Sequence, residues 1–504
     1  MLPRSLKRLR ESLQMIIDTS KCDISENFAT DIVIVGGGIS GLFLATLLEK
    51  TQKKILIIEK GNDSLNQNFE GRTANVGQKH HGSQNESGLA IGGNGRLWGG
   101  QFVQFERQDI NKNYWGLDYK ELQKHYDEIY KIFKIQTTDD PIFHNNNQFI
   151  KNQNIDRYFT YFLQQPNIYK IYKDQILNSK NIKLFKNLTA NSINFKEEVA
   201  QEICCLAKNK KSIKIKSKIF VFCMGTIENN RFFLSLKQSN TESPIRYNKL
   251  IGHYFQDHIG LTVGEVKLHS EKRFRLFFEG GFYKNRIYQP KLKNKNSNIS
   301  MSCEFSLRSK YSNTIPELRE SIKKFPNLDT FSKLPFLLIK TLNLPKKAIE
   351  LYLHRKLQKR IKSFFDDGIQ LYIQSEQIPE YQSTLTANKN LLSDGLRQIS
   401  LNWKINGDEF TEMRKFIDDV NNFLKSNNIG EIVSKELIYS NEKIYANLTD
   451  TNHPSGGLII SKNDNEGVCD MNQKVWNTKN IFIGGASAFP NSSYANITAT
   501  ILAL

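Results

Sequence analysis

Three glycines and one acid in the first part of the chain have the types and spacing of a nucleotide-binding corner. Gly36, Gly38 and Gly41 form a G-x-G-x-x-G pattern, and Glu59 follows 18 residues after the last of them. Such glycines permit a tight turn, the close approach of a pyrophosphate to the backbone and close packing of a helix on a strand. An acid at this distance accepts hydrogen bonds from a ribose hydroxyl. These residues predict a dinucleotide site.

Two strands and a helix must position these four residues. The β-branched run Ile32–Val35 predicts a buried parallel strand, and the segment from the glycines to Leu48 predicts a helix whose first N–H groups hold phosphates. Ile55–Ile58 predicts a second strand that ends in Glu59. The glycine pattern alone is common, but the order strand, glycines, helix, strand and acid is specific. This order predicts an α/β protein with a Rossmann-type domain.

Later parts of the chain contain two further strand–glycine junctions. Ile219–Gly225 is apolar throughout, so a central parallel strand is expected, with Gly225 ending it before a helix. Ile481–Ile483 predicts a third buried strand that ends in Gly484–Gly485. These junctions indicate that the chain returns twice to the sheet on which it begins.

A second domain is expected between these returns. Residues 261–306 and 369–403 alternate in polarity, which indicates antiparallel strands, and a helical insert separates them at about 307–366. Two basic amphipathic helices are predicted, over 3–18 and 346–365. Such helices pack on their own domain more often than on an anionic membrane, so membrane docking is the alternative interpretation.

The composition is that of a large globular protein with an excess of positive charge. The 504 residues contain 70 Lys and Arg against 51 Asp and Glu, a formal net charge of +19. Because this charge is spread along the chain, a general compositional bias explains it better than a nucleic acid partner, which we do not expect.

Neither a metal site nor a membrane span is expected. The six cysteines show no metal spacing, and the adjacent His80 and His81 point apart without a third ligand. No apolar run reaches the roughly 20 residues of a spanning helix, and no signal peptide is visible. A cytoplasmic protein is therefore predicted, with a peripheral membrane location as the alternative.

Six segments, in order, resemble motifs of the glucose–methanol–choline (GMC) flavoprotein oxidoreductases. The resemblance runs from about Asp31 to the last residue, and the most similar subgroup is bacterial and suspected of acting on sugars. The six are Gly36–Gly41 with Glu59, GGNGRLWGG (Gly92–Gly100), CMGTIENNRFFLSL (Cys223–Leu236), IGHYFQDHIG (Ile251–Gly260), Ser375–Gln377 with the LSD and ISLNW region, and a carboxy-terminal signature made of DTNHPSGG (Asp450–Gly457) and IGGASAFPNSSYANITAT (Ile483–Thr500).

This resemblance implies a division of the chain into parts. Residues 1–30 are an amino-terminal amphipathic extension, and 31–260 are mainly an FAD-binding domain with lid and cap insertions. Residues 261–445 are mainly a discontinuous substrate domain built on an antiparallel sheet, and 446–504 return to the FAD domain.

The resemblance also implies roles for single residues. His453 matches the general base and Asn496 the second site residue, which donates a hydrogen bond to the substrate oxygen. Leu97 stands where some relatives carry a flavin-linking histidine, so non-covalent FAD is expected. His258, beside Asp257, is interpreted as a structural corner. The expected cofactor contacts are Gly36, Gly38, Gly41, Glu59, Trp98, Gly99, Gly100, Ala190, Gly225, Gly485 and Ala486.

The implied function is the transfer of hydride from a CH–OH group of a sugar or other polar alcohol to FAD. A dehydrogenase is favoured over an oxidase, and the electron acceptor stays open among a quinone, a protein carrier and oxygen. Two alternatives are a flavin-bound lyase or isomerase without net redox, and a non-catalytic family member. The latter is suggested by Gly457, Ile459 and Ile460, which replace the usual Thr, Arg and Met after the HPxG turn.

Overall fold

The computed structural model describes residues 15–22, 27–65, 71–85, 88–110, 115–135, 154–239, 242–283, 286–308, 367–434 and 436–504. Within these residues the strands form four sheets. The predicted helix 346–365, and the insert around it apart from residues 307–308, lie outside this part of the chain. The predicted α/β fold, with a Rossmann-type sheet and an antiparallel sheet, is confirmed.

A parallel sheet of six strands carries the nucleotide corner. Its strands are β1 (Ile16–Asp18), β3 (Ile32–Val35), β4 (Ile55–Glu59), β8 (Ile182–Lys186), β12 (Ile219–Phe222) and β22 (Ile481–Ile483). Their order is β1-β8-β4-β3-β12-β22. Every residue of β3 and β4 is buried, as their continuous apolar sequence requires of a sheet covered on both faces. The predicted returns of the chain to this sheet are confirmed.

The predicted helix over 3–18 is wrong at its carboxyl end. Ile16–Asp18 is a strand that pairs in parallel with β8, Ile16 lying opposite Leu184. Two adjacent β-branched residues fit a pleated edge better than a helix, and Ile17 is buried there. The hydroxyl of Thr19 continues the pairing by donating to the carbonyl of Lys186 at 3.0 Å. Residues 1–14 lie outside the described part of the chain.

A smaller sheet of four strands stands beside the parallel sheet. Its strands are β2 (Asn27–Ala29), β9 (Leu188–Lys196), β10 (Val199–Ala207) and β11 (Ser212–Lys216). The last three form an antiparallel meander, and β2 pairs in parallel with β11.

An antiparallel sheet of nine strands forms the second large layer. The strands are β6 (Gln101–Phe102), β7 (Ile155–Phe162), β13 (Ile259–Leu268), β14 (Gly281–Tyr283), β15 (Arg286–Asn294), β16 (Met301–Leu307), β17 (Ile369–Ser375), β20 (Gly430–Val433) and β21 (Thr449–Asp450). They run in the order β20-β13-β17-β16-β15-β7-β6, with β14 on β15 and β21 on β13. Burial alternates along β17, so one face is apolar and the other carries polar side chains.

The predicted strand region 369–403 divides between two sheets. Residues 384–402 do not join the nine-stranded sheet but form a three-stranded one, with β5 (Thr73–Asn75), β18 (Thr384–Leu391) and β19 (Arg397–Asn402). An alternating pattern shows that one face of a strand is buried but not which neighbour buries it.

Buried ion pairs fix the three-stranded sheet to the nucleotide-binding part. The guanidinium of Arg72 lies 2.7 Å from Asp394 and 2.8 Å from Glu228, and Lys60 lies 2.8 Å from Asp394. Arg231 adds a pair with Glu228 at 2.9 Å.

Ten α-helices occur in the described residues, and none of them combines the length and apolarity needed to cross a membrane. They are α1 (Ile39–Leu48), α2 (Gly82–Asn85), α3 (Arg107–Ile110), α4 (Tyr119–Ile132), α5 (Ile168–Asn178), α6 (Thr226–Ser239), α7 (Glu271–Phe278), α8 (Glu409–Ser426), α9 (Asn441–Asn447) and α10 (Thr498–Ala503). Helix α1 crosses from β3 to the parallel β4, and α6 follows β12 in the same way.

Candidate active site

The glycine corner joins β3 to α1 with the predicted backbone. Gly36 has φ +107°, and a Cβ there would lie 2.4 Å from the carbonyl oxygen of Cys223, while a Cβ on Gly41 would lie 2.0 Å from the Gly36 oxygen. Gly38 differs, since its Cβ would meet nothing closer than 3.8 Å, and no side chain caps the helix there. Gly225, after β12, has φ +80° with similarly open space. The protein itself requires Gly36 and Gly41, and it leaves room over Gly38 for a ligand.

Glu59, at the end of β4, is buried beside this corner. Its Oε2 accepts the N–H of Gly37 at 2.8 Å and its Oε1 that of Gly61 at 2.6 Å. Burial outweighs these bonds and raises the pKa of Glu59. Each carboxylate oxygen can accept a second hydrogen bond, so the expected ribose contact is chemically compatible with these bonds. The N–H of Asn187 donates to the Gly61 carbonyl at 3.0 Å and brings the start of β9, with buried Ala190, to the same end of the corner.

The segment Gly92–Gly100 begins directly on the nucleotide corner. The N–H of Gly92 donates to the carbonyl of Gly37 at 2.7 Å. Gly93 has φ +50°, and a Cβ there would lie 3.3 Å from the Cα of Gly38. The glycines therefore let two backbone segments touch.

The end of that segment is anchored elsewhere. The indole N–H of Trp98 donates to the carbonyl of Pro166 at 2.7 Å, and Gly100, with φ +75°, also packs on Pro166. Gly99 is exposed, with only Phe162 near its Cβ position at 3.9 Å. Of the three expected flavin contacts Trp98, Gly99 and Gly100, Gly99 is therefore the one whose backbone is exposed.

The loop after β22 connects the glycine corner to the segment that contains His453. The hydroxyl of Ser40, in α1, donates to the carbonyl of Gly484 at 3.3 Å. Two residues on, the carbonyl of Ala486 accepts the N–H of Gly456 at 2.9 Å. Gly485 lies between them with φ +142°. The predicted residues of the carboxy-terminal loop thus lie beside the predicted phosphate site.

His453 and Asn496 are in direct contact. The Nδ2 atom of Asn496 lies 3.0 Å from Nε2 of His453, and the hydroxyl of Thr451 lies 2.8 Å from Nδ1. An amide N–H directed at Nε2 makes that nitrogen the acceptor, so Nδ1 carries the proton and donates to Thr451. The lone pair of Nε2 therefore points towards Asn496, where a substrate hydroxyl could share it.

The surroundings of His453 keep its ring uncharged. The residue retains some accessible surface, but burial of the ring, the neighbouring His258 and the positive charge of Lys291 lower the pKa of His453 well below the ordinary value. The ring of His258 lies 4.7 Å away, and its Nε2 lies 3.0 Å from the carbonyl of Ser492. An uncharged imidazole at neutral pH can accept a proton.

Asp257 holds the backbone on which His453 is carried. Its Oδ1 accepts the N–H groups of His258 at 2.7 Å, His453 at 3.0 Å and Thr451 at 3.2 Å. The motif IGHYFQDHIG therefore forms the hydrogen-bonded corner that its sequence suggests, and the corner lies under the candidate base.

Comparison with known families identifies the carboxy-terminal part of the chain. The family model "GMC oxidoreductase" matches residues 379–504, which include both His453 and Asn496. This stretch of the chain is therefore similar to the carboxy-terminal domain of the GMC oxidoreductases. A model for an NAD(P)-binding Rossmann-like domain matches residues 34–77, which include the glycine corner and Glu59. The resemblance that the sequence motifs show is confirmed over these two stretches.

Solved structures share the fold of this chain over nearly its whole length. Pyridoxine 4-oxidase from Mesorbium loti is 13% identical, with 94% of this chain and 97% of that chain covered and a TM-score of 0.59. A formate oxidase of Aspergillus oryzae RIB40, from work on FAD modification, is 14% identical, with 95% and 97% covered and a TM-score of 0.59. At these identities the likeness concerns the fold. A search of curated proteins found no match.

A row of polar side chains crosses the nine-stranded sheet beside the candidate site. Glu304 lies opposite Tyr372 in the strand register, Lys291 lies opposite Tyr158, and residues opposite each other point to the same face. The Lys291 ammonium joins the two halves, 2.6 Å from the Glu304 carboxylate. The Tyr372 hydroxyl bonds to Thr449 in β21.

Both ends of this polar row touch the elements that carry the His453–Asn496 pair. Thr449 precedes His453 by four residues, and the ring of Tyr158 contacts that of Tyr494 at 5.6 Å, two residues before Asn496. Sequence reasoning missed the row. The alternation of polar residues in β15, β16 and β17 was the available signal, but it does not show which polar face a site uses.

Proposed function

We propose that the protein is an FAD-dependent oxidoreductase that takes hydride from a CH–OH group of a sugar or other polar alcohol, with His453 as general base. The contact between His453 and Asn496 carries this proposal. In it, a proton acceptor and a hydrogen-bond donor meet at one point, which is the arrangement that alcohol oxidation needs.

FAD fits the residues that the fold places at the corner. The open space over Gly38, the uncapped start of α1 and the acid Glu59 match the needs of a pyrophosphate and a ribose. Gly99, Gly485 and Ala486 would offer backbone to the flavin, and the Ala190 region to the adenine. Because Leu97 stands at the linking position of some relatives, we infer non-covalent binding.

His453 and Asn496 divide the chemistry of the substrate oxygen. Nε2 of His453 takes the hydroxyl proton, and the carbon–oxygen bond becomes a carbonyl as hydride leaves the carbon. The amide of Asn496 donates to the oxygen and stabilises the negative charge that develops on it. When bound, FAD supplies the two-electron acceptor for this hydride.

The polar row supports a substrate with several hydroxyl groups. Lys291 offers N–H donors and Glu304 offers carboxylate acceptors, and their mutual pairing cancels the net charge. Vicinal hydroxyls can bond to such a donor–acceptor pair without bringing a charge of their own. A polyol or sugar therefore fits this face better than an apolar alcohol, in line with the sugar-active subgroup that the motifs resemble.

The electron acceptor is a separate part of the proposal. The sequence favours a dehydrogenase, whereas the two similar structures are named as oxidases. We propose oxygen as the first acceptor to test, followed by a quinone analogue and a protein carrier. Part of the predicted basic helix 3–18 is a strand, so the hypothesis of membrane docking depends on the predicted helix 346–365. Flotation of the protein with anionic liposomes tests this hypothesis.

The deciding experiment is an anaerobic titration of the purified yellow protein. The compounds are D-glucose, D-sorbitol, glycerol, ethanol, benzyl alcohol, pyridoxine and formate, and the flavin absorbance near 450 nm is followed. We expect bleaching by a polyhydroxy compound, recovery of the band when the acceptor is admitted, and no bleaching in His453→Gln. A protein that cannot take up FAD would overturn the proposal. Product formation without any bleaching would favour the lyase or isomerase alternative.

A further inference from the structure

We propose that His80 is a positioning residue for His453 and acts through Asp257. This inference rests on the proposed role of His453. His80 belongs to the polar segment between the nucleotide corner and the Gly92–Gly100 segment, far from either catalytic motif in sequence. The structure brings it, fully buried, beneath the loop that carries the base.

The two oxygens of Asp257 have different partners. Oδ1 accepts the backbone N–H groups of His258, Thr451 and His453, and Oδ2 lies 3.2 Å from Nε2 of His80. The imidazole therefore fixes the rotation of the carboxylate, and the other oxygen of the carboxylate fixes the loop. Both side chains are inaccessible to solvent, so water cannot replace the imidazole.

The orientation of the His80 ring is itself determined by the protein. The N–H of Ser83 donates to Nδ1 at 3.0 Å, which makes Nδ1 an acceptor and places the proton on Nε2, towards Asp257. The rings of Phe255 and Trp403 meet the imidazole edge-on at 5.4 and 5.3 Å and hold its plane.

A second carboxylate ties the same segment to the catalytic loop. Asp450 accepts the N–H of His81 at 2.6 Å and that of Gly82 at 2.9 Å. Its side chain also lies 4.0 Å from Nδ1 of His80. Residues 80–83 are thus hydrogen-bonded, through the Asp450 side chain, to the start of the turn that leads from Asp450 to His453. They reach the other end of this turn, His453, through Asp257.

The same three side chains could be taken for a metal site. His80, Asp257 and Asp450 offer ligand atoms that lie within 4.8 Å of one another. Their nitrogen and oxygen atoms already accept N–H groups from Ser83, from the His453 loop and from residues 81–82, however. Because N–H donors already surround these atoms, the cluster is a hydrogen-bond network. Such a network holds the loop that carries His453 in position.

The test compares two substitutions that differ in reach. His80→Gln places an amide nitrogen where Nε2 lies and keeps the bond to Asp257, whereas His80→Asn is too short to reach it. His81→Asn is the matched control, because the described contacts of His81 involve its backbone. All three variants are studied as FAD-loaded, full-length protein.

Two measurements report the position of the loop. The first is hydrogen exchange of a peptide covering 449–455, whose N–H groups at Thr451 and His453 bond to Asp257. In His80→Asn we expect exchange at least tenfold faster, with His80→Gln and His81→Asn near the wild type. The second is flavin reduction by whichever of the seven compounds bleaches the protein. We expect the rate in His80→Asn to fall about 10- to 100-fold with little change in KM, as for other residues that orient a catalytic group.

The inference is overturned if folded, FAD-loaded His80→Asn shows wild-type exchange and a wild-type reduction rate. If that variant does not fold, Asp257→Asn gives the same test from the other side, because an amide cannot accept from both His80 and the loop. Unchanged exchange there would equally overturn the proposal. Failure of the proposed function is distinct: it would appear as normal flavin reduction in His453→Gln.

Discussion

The Nδ2 atom of Asn496 lies 3.0 Å from Nε2 of His453, across 43 positions of sequence. The contact forms because β21 and the loop after β22 bring their ends together over the nine-stranded sheet. Without substrate, the amide N–H occupies the lone pair that would receive a proton. In the proposed mechanism a substrate hydroxyl enters between the two side chains, where it meets an acceptor and a donor at once.

Replacing either member of this pair should slow turnover by orders of magnitude without loss of FAD. We expect His453→Gln and Asn496→Ala to slow anaerobic flavin reduction by about 100- to 10,000-fold, the usual contribution of a general base or an oxyanion donor. Stopped-flow absorbance measures the rate, and the flavin spectrum checks cofactor content. The exposed His125→Ala serves as control and should match the wild type. A fast His453→Gln enzyme would remove this residue from the mechanism.

The pH dependence should follow from the lowered pKa of His453. Burial, the neighbouring His258 and the charge of Lys291 disfavour the protonated ring, so the pKa of His453 lies well below the ordinary histidine value. As pH falls from 8 to 6.5, kcat/KM should therefore stay flat, and it should decline only at more acidic pH, when the base becomes protonated. Initial rates across this range measure the profile. A decline that is already half complete at pH 7 would contradict this environment.

Lys291 should tune both the base and the substrate site. Removing its charge in Lys291→Met raises the pKa of His453 towards the ordinary value, so the acidic limb of the kcat/KM profile should move to higher pH. The KM for a polyhydroxy substrate should also rise, since Glu304 loses its 2.6 Å partner. Lys295→Met is a matched control just after the end of the same strand, because Lys295 pairs with Asp156 in a more exposed position. An unshifted limb would show that the charge does not act on His453.

Arg72 should be a main support of the three-stranded sheet. Arg72→Met leaves the carboxylates of Glu228 and Asp394 with weaker compensation, and we expect a loss of about 3–5 kcal/mol in the free energy of unfolding, as for a broken buried ion pair. Burial opposes charge on both carboxylates, but the nearby cations outweigh it and lower both pKa values.

The pH dependence of stability checks the same network. Because the folded pKa values are depressed, these carboxylates stabilise the protein fully above their unfolded pKa of about 4 and lose that contribution as pH falls towards the folded values. Urea unfolding at pH 7 and pH 3 should therefore differ more for the wild type than for Arg72→Met. Equal differences would exclude a dominant role for Arg72.

Local patterns in the sequence predicted the parts of the fold that local physics determines. The apolar runs of β3, β4 and β12 identify buried parallel strands wherever they lie, because both faces of such a strand are covered. Ile16–Asp18 shows the limit of this approach, because a short run with helical spacing became a strand when β8 offered a free edge. The partner sheet of β19 was equally beyond a local pattern, since the ion pairs of Arg72 that fix it come from three distant segments.

The candidate site shows the same division between residues that sequence patterns identify and residues that they do not. His453 and Asn496 could be found because each stands in a motif that resembles a known family. His80 could not, because its partner Asp257 lies 177 positions away and no spacing rule joins them. Lys291 stands in an alternating strand like many other lysines. Its importance comes only from the register that places Glu304 and Tyr158 beside it.

The two glycines Gly36 and Gly38 should respond differently to the same substitution. In Gly36→Ala the new Cβ would lie 2.4 Å from a backbone carbonyl at φ +107°, so the fold must shift and the melting temperature of the apoprotein should fall. Gly38 has φ −81°, and a Cβ there would lie 3.8 Å from the carbonyl oxygen of Cys223, an ordinary van der Waals distance, so Gly38→Ala should keep the melting temperature of the apoprotein. Its methyl group would, however, lie where a pyrophosphate must approach the backbone, and FAD affinity should fall at least about tenfold. Thermal unfolding of the apoprotein and fluorescence titration with FAD separate the two effects. Wild-type FAD affinity in Gly38→Ala would mean that the phosphates do not lie over this glycine.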